Sequence, residues 1–160
     1  MRATTLFNRL LDLPGTSVSE VKFASGVVSV TVSLRRRRLL CPCCDYWTSA
    51  VYDTRPAPSS WRHLDMGKWK LVIRASLRRL NCPAHGVLVE QVPFARHRSG
   101  LTRDFEDLVA YFATKTDKTA ITRILRIDWD TVGRACERVV ADGLDPGRLD
   151  GLVNIGVDEV

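Results

Sequence analysis

Three kinds of hydrophobic pattern follow one another along the chain. Residues 4–13 carry a short helical periodicity, with Leu6, Leu10, Leu11 and Leu13 recurring before Pro14 and Gly15 end it. Alternation with a period of two comes next. Val18 to Phe23 and Val27 to Leu34 read as a hairpin joined at Ala24-Ser25-Gly26, with Val28, Val30, Val32 and Leu34 turned inward. A Pro- and Ser-rich loop at Arg55 to Ser60 intervenes. Trp69 to Leu80 then alternates again, setting Leu71, Ile73, Ala75 and Leu77 against Lys70, Arg74, Ser76 and Arg78.

Beyond Gly100 the period becomes helical. Phe105, Leu108, Val109, Phe112 and Ala113 form one apolar face, with Thr102 placed to cap the helix and Asp104, Glu106 and Asp107 suited to its N-terminal dipole. A second short helix over 118–125 is expected to bury Ala120, Ile121, Ile124 and Leu125. A third, capped by Asp128 and ending at Gly143, is expected to bury Trp129, Val132, Cys136, Val139 and Val140. Asp145-Pro146-Gly147 reads as a linker, and Leu152 to Val157 as the start of an apolar strand. The pattern predicts an α+β chain in three parts: a β-rich module over 1–100, a helical segment over 101–143, and a linker with one strand over 144–160.

Charge separates the same parts. Residues 1–100 hold 16 Lys/Arg against 6 Asp/Glu, and the remainder 8 against 12, so the overall +6 is a basic module joined to a mildly acidic one. A concentrated positive field marks a binder of polyanions. No stretch approaches the roughly 18 apolar residues of a membrane span, and Met1 to Leu13 has no cleavage-site pattern. The expectation is therefore a cytoplasmic protein without a membrane partner.

Five cysteines is an odd number, with three crowded into Cys41, Cys43 and Cys44, and in a reducing cytosol that argues against a disulfide framework and for a metal. Cys41-Pro42-Cys43-Cys44 and Cys82-Pro83-Ala84-His85 each place two ligands three positions apart, the spacing of a metal knuckle. Cys41, Cys44, Cys82 and His85 are the candidate ligands of one structural Zn²⁺, with Cys43 as the alternative to Cys44. Substituting Cys41 or Cys82 is expected to unfold the module. Cys136 has a packing position, His97 a surface one, and His63 a structural role.

Thr116 to Val140 has the apolar spacing of a helix-turn-helix, although Arg126 stands where glycine is commonest. Its third helix turns Thr131, Arg134 and Arg138 outward, toward base edges or phosphates of double-stranded DNA. Arg35, Arg36, Arg37 and Arg38, with Arg74, Arg78 and Arg79, lead toward the two knuckles and are candidate phosphate contacts. Alternatives are a free-standing zinc-containing helix-turn-helix transcriptional regulator, and a zinc enzyme, which a closed four-ligand set argues against.

With these residues in view, the sequence resembles the zinc-bearing DDE transposases of the ISL-three group of insertion sequences. The resemblance rests on the Cys-Pro-x-Cys knuckle after the arginine run, on Trp61-Arg62-His63-Leu64-Asp65 and on Leu77-Arg78-Arg79-Leu80-Asn81-Cys82. Asp128-Trp129-Asp130-Thr131-Val132 and Ile155-Gly156-Val157-Asp158-Glu159 continue it. Relatives often carry two cysteines, further apart, where this chain has Cys82 and His85.

The resemblance implies a zinc-ribbon-like module, a three-helix DNA-binding segment, and a last strand that opens an RNase H-like catalytic domain. It makes Asp158 the first of three carboxylates that hold a pair of Mg²⁺ ions in a full-length relative. It implies recognition of terminal inverted repeats, and it leaves open a homodimer. With one such carboxylate the chain is expected to be inactive alone, as a truncated or frameshifted copy would be.

Overall fold

The computed structural model describes residues 2–145, 147, 150, 151 and 153. It is a mixed α+β structure that divides into two compact units, Met1–Leu108 and Val109–Val160.

In the first unit, helix α1 (Ala3–Leu11) buries Phe7, while Leu6 and Leu10 of the expected apolar stripe face solvent. Asp12 ends the helix in left-handed backbone, φ 38°. Asn8 fixes the exit: its Nδ2 donates to the Thr4 carbonyl and its Oδ1 accepts from the Val18 amide. Strands β1 (Thr16–Ala24) and β2 (Val27–Leu34) then pair antiparallel, as the alternation predicts. Their loop is Ser25-Gly26, with φ of 46° and 78°. Two successive left-handed residues match the twist of the flanking strands, and Gly26 adopts that backbone without a Cβ clash.

Five short or mid-length strands follow: β3 (Leu39–Leu40), β4 (Trp47–Thr48), β5 (Asp53–Thr54), β6 (Ser59–Met66) and β7 (Trp69–Ala75). The main sheet has the order β1-β2-β7-β6, with β2 parallel to β7 and the other pairs antiparallel. Its register puts Val30, Ile73 and Trp61 in one row and Val28, Leu71 and His63 in the next. One face therefore gathers the buried side chains, covered by Phe7, Leu13, Leu77, Val92 and Phe94. Trp61 and Phe94 meet edge to face at 5.0 Å, an arrangement favoured by the ring quadrupoles.

His63 lies in this core with Nδ1 2.8 Å from the Thr102 hydroxyl. Burial pulls its pKa down, against a smaller upward pull from Asp104, so the ring is a neutral structural partner. Trp69 to Leu80 is not one strand. β7 stops at Ala75, Leu77 still enters the core, and β8 (Arg78–Cys82) joins a separate sheet of order β5-β8-β9, completed by β9 (Gly86–Val89). β3 and β4 pair with each other. Leu39, Cys41, Leu80 and Cys82 form a second, small core beneath these strands.

Helix α2 (Arg103–Ala113) carries Asp104 and Glu106 in its first turn. In the second unit, α3 (Lys118–Leu125) is capped by Asp117, whose side chain accepts from the Ala120 amide at 2.9 Å. α4 (Trp129–Gly143) is capped by Asp128, as the sequence predicts. Arg126 makes the turn in left-handed backbone, φ 55°, the conformation for which glycine is usual. Val109, Ile121, Leu125, Val132 and Ala135 are buried. Expected burial fails at Ile124, Trp129 and Val140, each more than half exposed, and Cys136 is only half-buried. The buried stripe of α4 runs through Val132 and Ala135, a phase that turns Trp129 and Val140 outward. The expected strand Leu152 to Val157 lies outside the described residues except for Val153, and Asp158 lies outside them entirely.

Candidate metal centre and nucleic-acid interface

Two tight turns converge on one point in the first unit. After β3, the Cys41 amide donates to the Tyr46 carbonyl at 2.9 Å, which folds residues 41–46 back on themselves. After β8, the His85 amide reaches the Cys82 carbonyl at 3.3 Å, and Gly86 turns the chain with φ 71°. The turns bring Cys41, Cys44, Cys82 and His85 together, with all four donor atoms within 4.8 Å of one another. Cys44 Sγ is 3.7 Å from Cys82 Sγ, and His85 Nδ1 is 3.5 Å from Cys82 Sγ and 3.8 Å from Cys41 Sγ. Cys43 points elsewhere, with its Sγ 4.0 Å from His97 Nε2. Three sulfurs and one imidazole nitrogen could hold a single metal ion.

The thiols are unlike electrostatically. Burial pushes Cys82 up, but the His85 ring, the Ala84 and His85 amides and Cys44 together bring it down to about 6. Cys44 moves the other way. The Tyr46 amide is its largest influence and lowers it, but desolvation and the neighbouring Cys41 and Cys82 sulfurs raise it on balance. A thiol near 6 is ionised at neutral pH, the state in which sulfur binds metal.

The arginines expected to form one phosphate-binding face are put to different uses. Arg78 forms a two-pronged pair with Glu90, Nε to Oε1 at 2.9 Å and Nη2 to Oε2 at 2.7 Å, and also donates to the Arg36 carbonyl. Arg79 makes the same fork with Asp53, its Nε at 2.6 Å. Both guanidinium groups are held more firmly protonated by these carboxylates, burial opposing. Arg35 donates to Ser17 at 2.6 Å, and Arg38 lies 4.1 Å over the Trp47 ring. Arg37 and Arg74 are exposed. Arg35–Arg38 lie between β2 and β3, not on a strand.

Glu90 and Asp53 are structural acids that sequence reasoning missed, and Glu106, expected only to suit the dipole of α2, is also a buried ion-pair partner. Glu106 is fully buried, 3.2 Å from Arg96 and accepting from Ser99 at 2.7 Å. For Asp53 and Glu90 the signal was present: residues 1–100, with 16 cations and 6 acids, have reason to pair each acid they keep.

On α4, Arg134 is exposed and Arg138 half-buried. The Thr131 hydroxyl donates to Asp128 Oδ2 at 2.6 Å while its amide donates to Oδ1 at 2.7 Å, so Thr131 serves the helix cap. These two bonds hold the Asp128 carboxyl below the usual carboxylate range. Lys118, at the start of α3, places its ammonium 4.6 Å over the exposed Trp129 ring.

Residues 90–140 match the helix-turn-helix domain of transposase family ISL3. Over its full length the chain is 35% identical to the transposase for insertion sequence element IS1557 of Mycobacterium tuberculosis, in both strain CDC 1551 / Oshkosh and strain ATCC 25618 / H37Rv. The alignment runs over 170 residues and takes in 100% of this chain but 38% of the relative. No solved structure matches.

Proposed function

We propose, on the premise that residues 90–140 carry a helix-turn-helix of the ISL3 transposase family, that this chain is the DNA-binding part of an insertion-sequence transposase. The observation that carries the reading is the domain match over residues 90–140, which takes in α2, α3 and most of α4, with Arg134 exposed on α4. A free-standing regulator is not favoured, because the whole chain, not only its helices, aligns with a transposase.

In this reading α4 enters the major groove, and Arg134 and Arg138 reach base edges of the terminal inverted repeats. Thr131 holds the cap that orients the helix. Arg35, Arg37 and Arg74 on the first unit supply phosphate contacts, while Arg78 and Arg79 brace the strands that carry the knuckle. The metal is Zn²⁺, held by Cys41, Cys44, Cys82 and His85. A zinc tetrahedron with Zn–S of about 2.3 Å and Zn–N of about 2.0–2.1 Å has edges of about 3.8 Å between sulfurs and about 3.6 Å from sulfur to nitrogen. The separations of 3.7, 3.5 and 3.8 Å support that assignment. Four protein ligands leave no open position, so the ion is structural. Asp158 is proposed as the first carboxylate of a catalytic domain. When bound there with its partner acids, Mg²⁺ would stabilise the leaving oxygen in phosphodiester attack.

Hydroxyl-radical footprinting on DNA carrying the end of the element tests the reading. Protection confined to the terminal inverted repeat is the expected result. Uniform, weak protection along the whole fragment would reduce the chain to a generic basic surface.

A further inference from the structure

The first unit contains an open cleft of about 540 Å³ beside the metal knuckles, a size typical of sites for small ligands. Its floor is apolar, with Trp61, Leu77, Val92 and Ala95 all buried. Its rim is cationic, with Arg55 and Arg98 exposed at the edge. Glu90 is the one carboxylate in the lining, and both its oxygens are taken by Arg78. Neither Arg55 nor Arg98 has a carboxylate partner among the described residues, and Arg55 donates to the Ser59 hydroxyl at 3.0 Å.

Arg98 is also held in left-handed backbone, φ 60°, in a turn closed by the Ser99 amide on the Arg96 carbonyl at 3.1 Å. A bulky residue keeps such backbone only where its surroundings impose it, a pattern common at binding sites.

We propose that this cleft is a nucleotide-binding site for a DNA strand with an unpaired base. Arg55 and Arg98 grip the phosphates on either side, and the apolar floor takes the face of the base. The occupant follows from shape and charge. Two uncompensated guanidinium groups select an anion, and an apolar floor between them selects an anion with a flat apolar middle. A paired duplex keeps the faces of its bases stacked inside the helix, so a base must leave the stack to lay its face on the floor. The inference deepens the DNA-binding reading and rests on it, at a site separate from α4.

The test is fluorescence anisotropy of the zinc-loaded chain with a labelled oligothymidine strand, an abasic strand of equal length, and an inverted-repeat duplex. The double variant Arg55→Gln, Arg98→Gly removes both charges, and glycine suits the backbone at 98, so its melting temperature should hold. It is expected to bind oligothymidine at least about tenfold more weakly, with the salt slope reduced by about 1.4, two contacts at about 0.7 each. Duplex binding should stay within about twofold, and the abasic strand should bind the parent chain less well than oligothymidine. Unchanged oligothymidine binding by the variant, or equal binding of abasic and intact strands, would overturn the proposal. An equal loss on the duplex would do so too, by making the arginines duplex contacts. A parent chain that binds the duplex but not the strand sinks the cleft alone; one that binds neither sinks the transposase reading with it.

Discussion

The two units solve the problem of small size in different ways. Among the described residues the first has a sheet core of 14 buried side chains from Phe7 to Ala95, plus a second core of four, two of which are the candidate metal ligands Cys41 and Cys82. The second has a few buried residues on short helices, and both α3 and α4 begin on a capping aspartate. One unit is held by long-range strand pairing, with a four-residue Cys/His cluster proposed to take a metal, and the other by local signals. The contrast teaches where charge is spent. In the first unit Arg78, Arg79 and Arg96 are paired with Glu90, Asp53 and Glu106, whereas the exposed side chains of Arg35, Arg38 and Arg55 make only hydroxyl or ring contacts among the described residues.

The largest effect should come from the metal. Chelation, or Cys82→Ser, would remove the ion proposed to join the two knuckles. The bulk of the apolar core lies on the main sheet, so the damage should be local, and the expectation that the whole module unfolds is narrowed accordingly. Hydrogen exchange should accelerate on the order of 100-fold over residues 39–48 and 78–89 and little over β1 and β2, with α3 and α4 untouched. Equal loss of protection in the main sheet would show that the cores are one cooperative body.

Next in size is Glu90→Ala. The carboxylate is buried, and its loss strands the partly buried Arg78 guanidinium, a change that costs about 3 kcal/mol by analogy with other broken buried pairs. Urea denaturation followed by tryptophan fluorescence measures it. A cost no larger than that of a surface pair, below about 1 kcal/mol, would mean that Arg78 finds water instead.

A smaller effect belongs to the second unit. The Asp128 carboxyl titrates below its unfolded value because the Thr131 hydroxyl and amide bond its ionised form. Its folded pKa is depressed, so this contribution is fully present above the unfolded pKa of about 3.9 and is lost as pH falls through the folded value. Asp128→Asn keeps a capping side chain but should flatten that acid limb in the helical circular dichroism signal. An identical acid limb in the variant would assign the pH dependence to other carboxylates.

How much of this was legible in the sequence varies with the range of the interactions. The β1–β2 hairpin, the bounds of α3 and the Asp128 cap depend on neighbours in the chain, and period and capping chemistry reveal them. The convergence of Cys41, Cys44, Cys82 and His85 was foreshadowed by two matching spacings, and the structure brings those four donors together while Cys43 turns away. The parallel pairing of β2 with β7 joins strands distant in sequence, and the exit of β8 into a sheet with β5, which breaks it from β7, is likewise recorded by no local pattern. Trp129 misled for a different reason. An aromatic at helical spacing usually marks a core, but here the phase through Val132 and Ala135 leaves the ring outside with Lys118.

The central claim is that α4 reads DNA sequence while the first unit holds phosphate. It is tested most directly by anisotropy of the zinc-loaded chain on an inverted-repeat duplex and an unrelated duplex, across a salt series, comparing Arg134→Ala with Arg37→Ala. Arg134→Ala should lose at least about tenfold on the repeat and little on the unrelated duplex. Arg37→Ala should weaken both alike and lower the salt slope by about 0.9. Equal losses on both duplexes from Arg134→Ala would contradict the account and make α4 one more phosphate-binding surface.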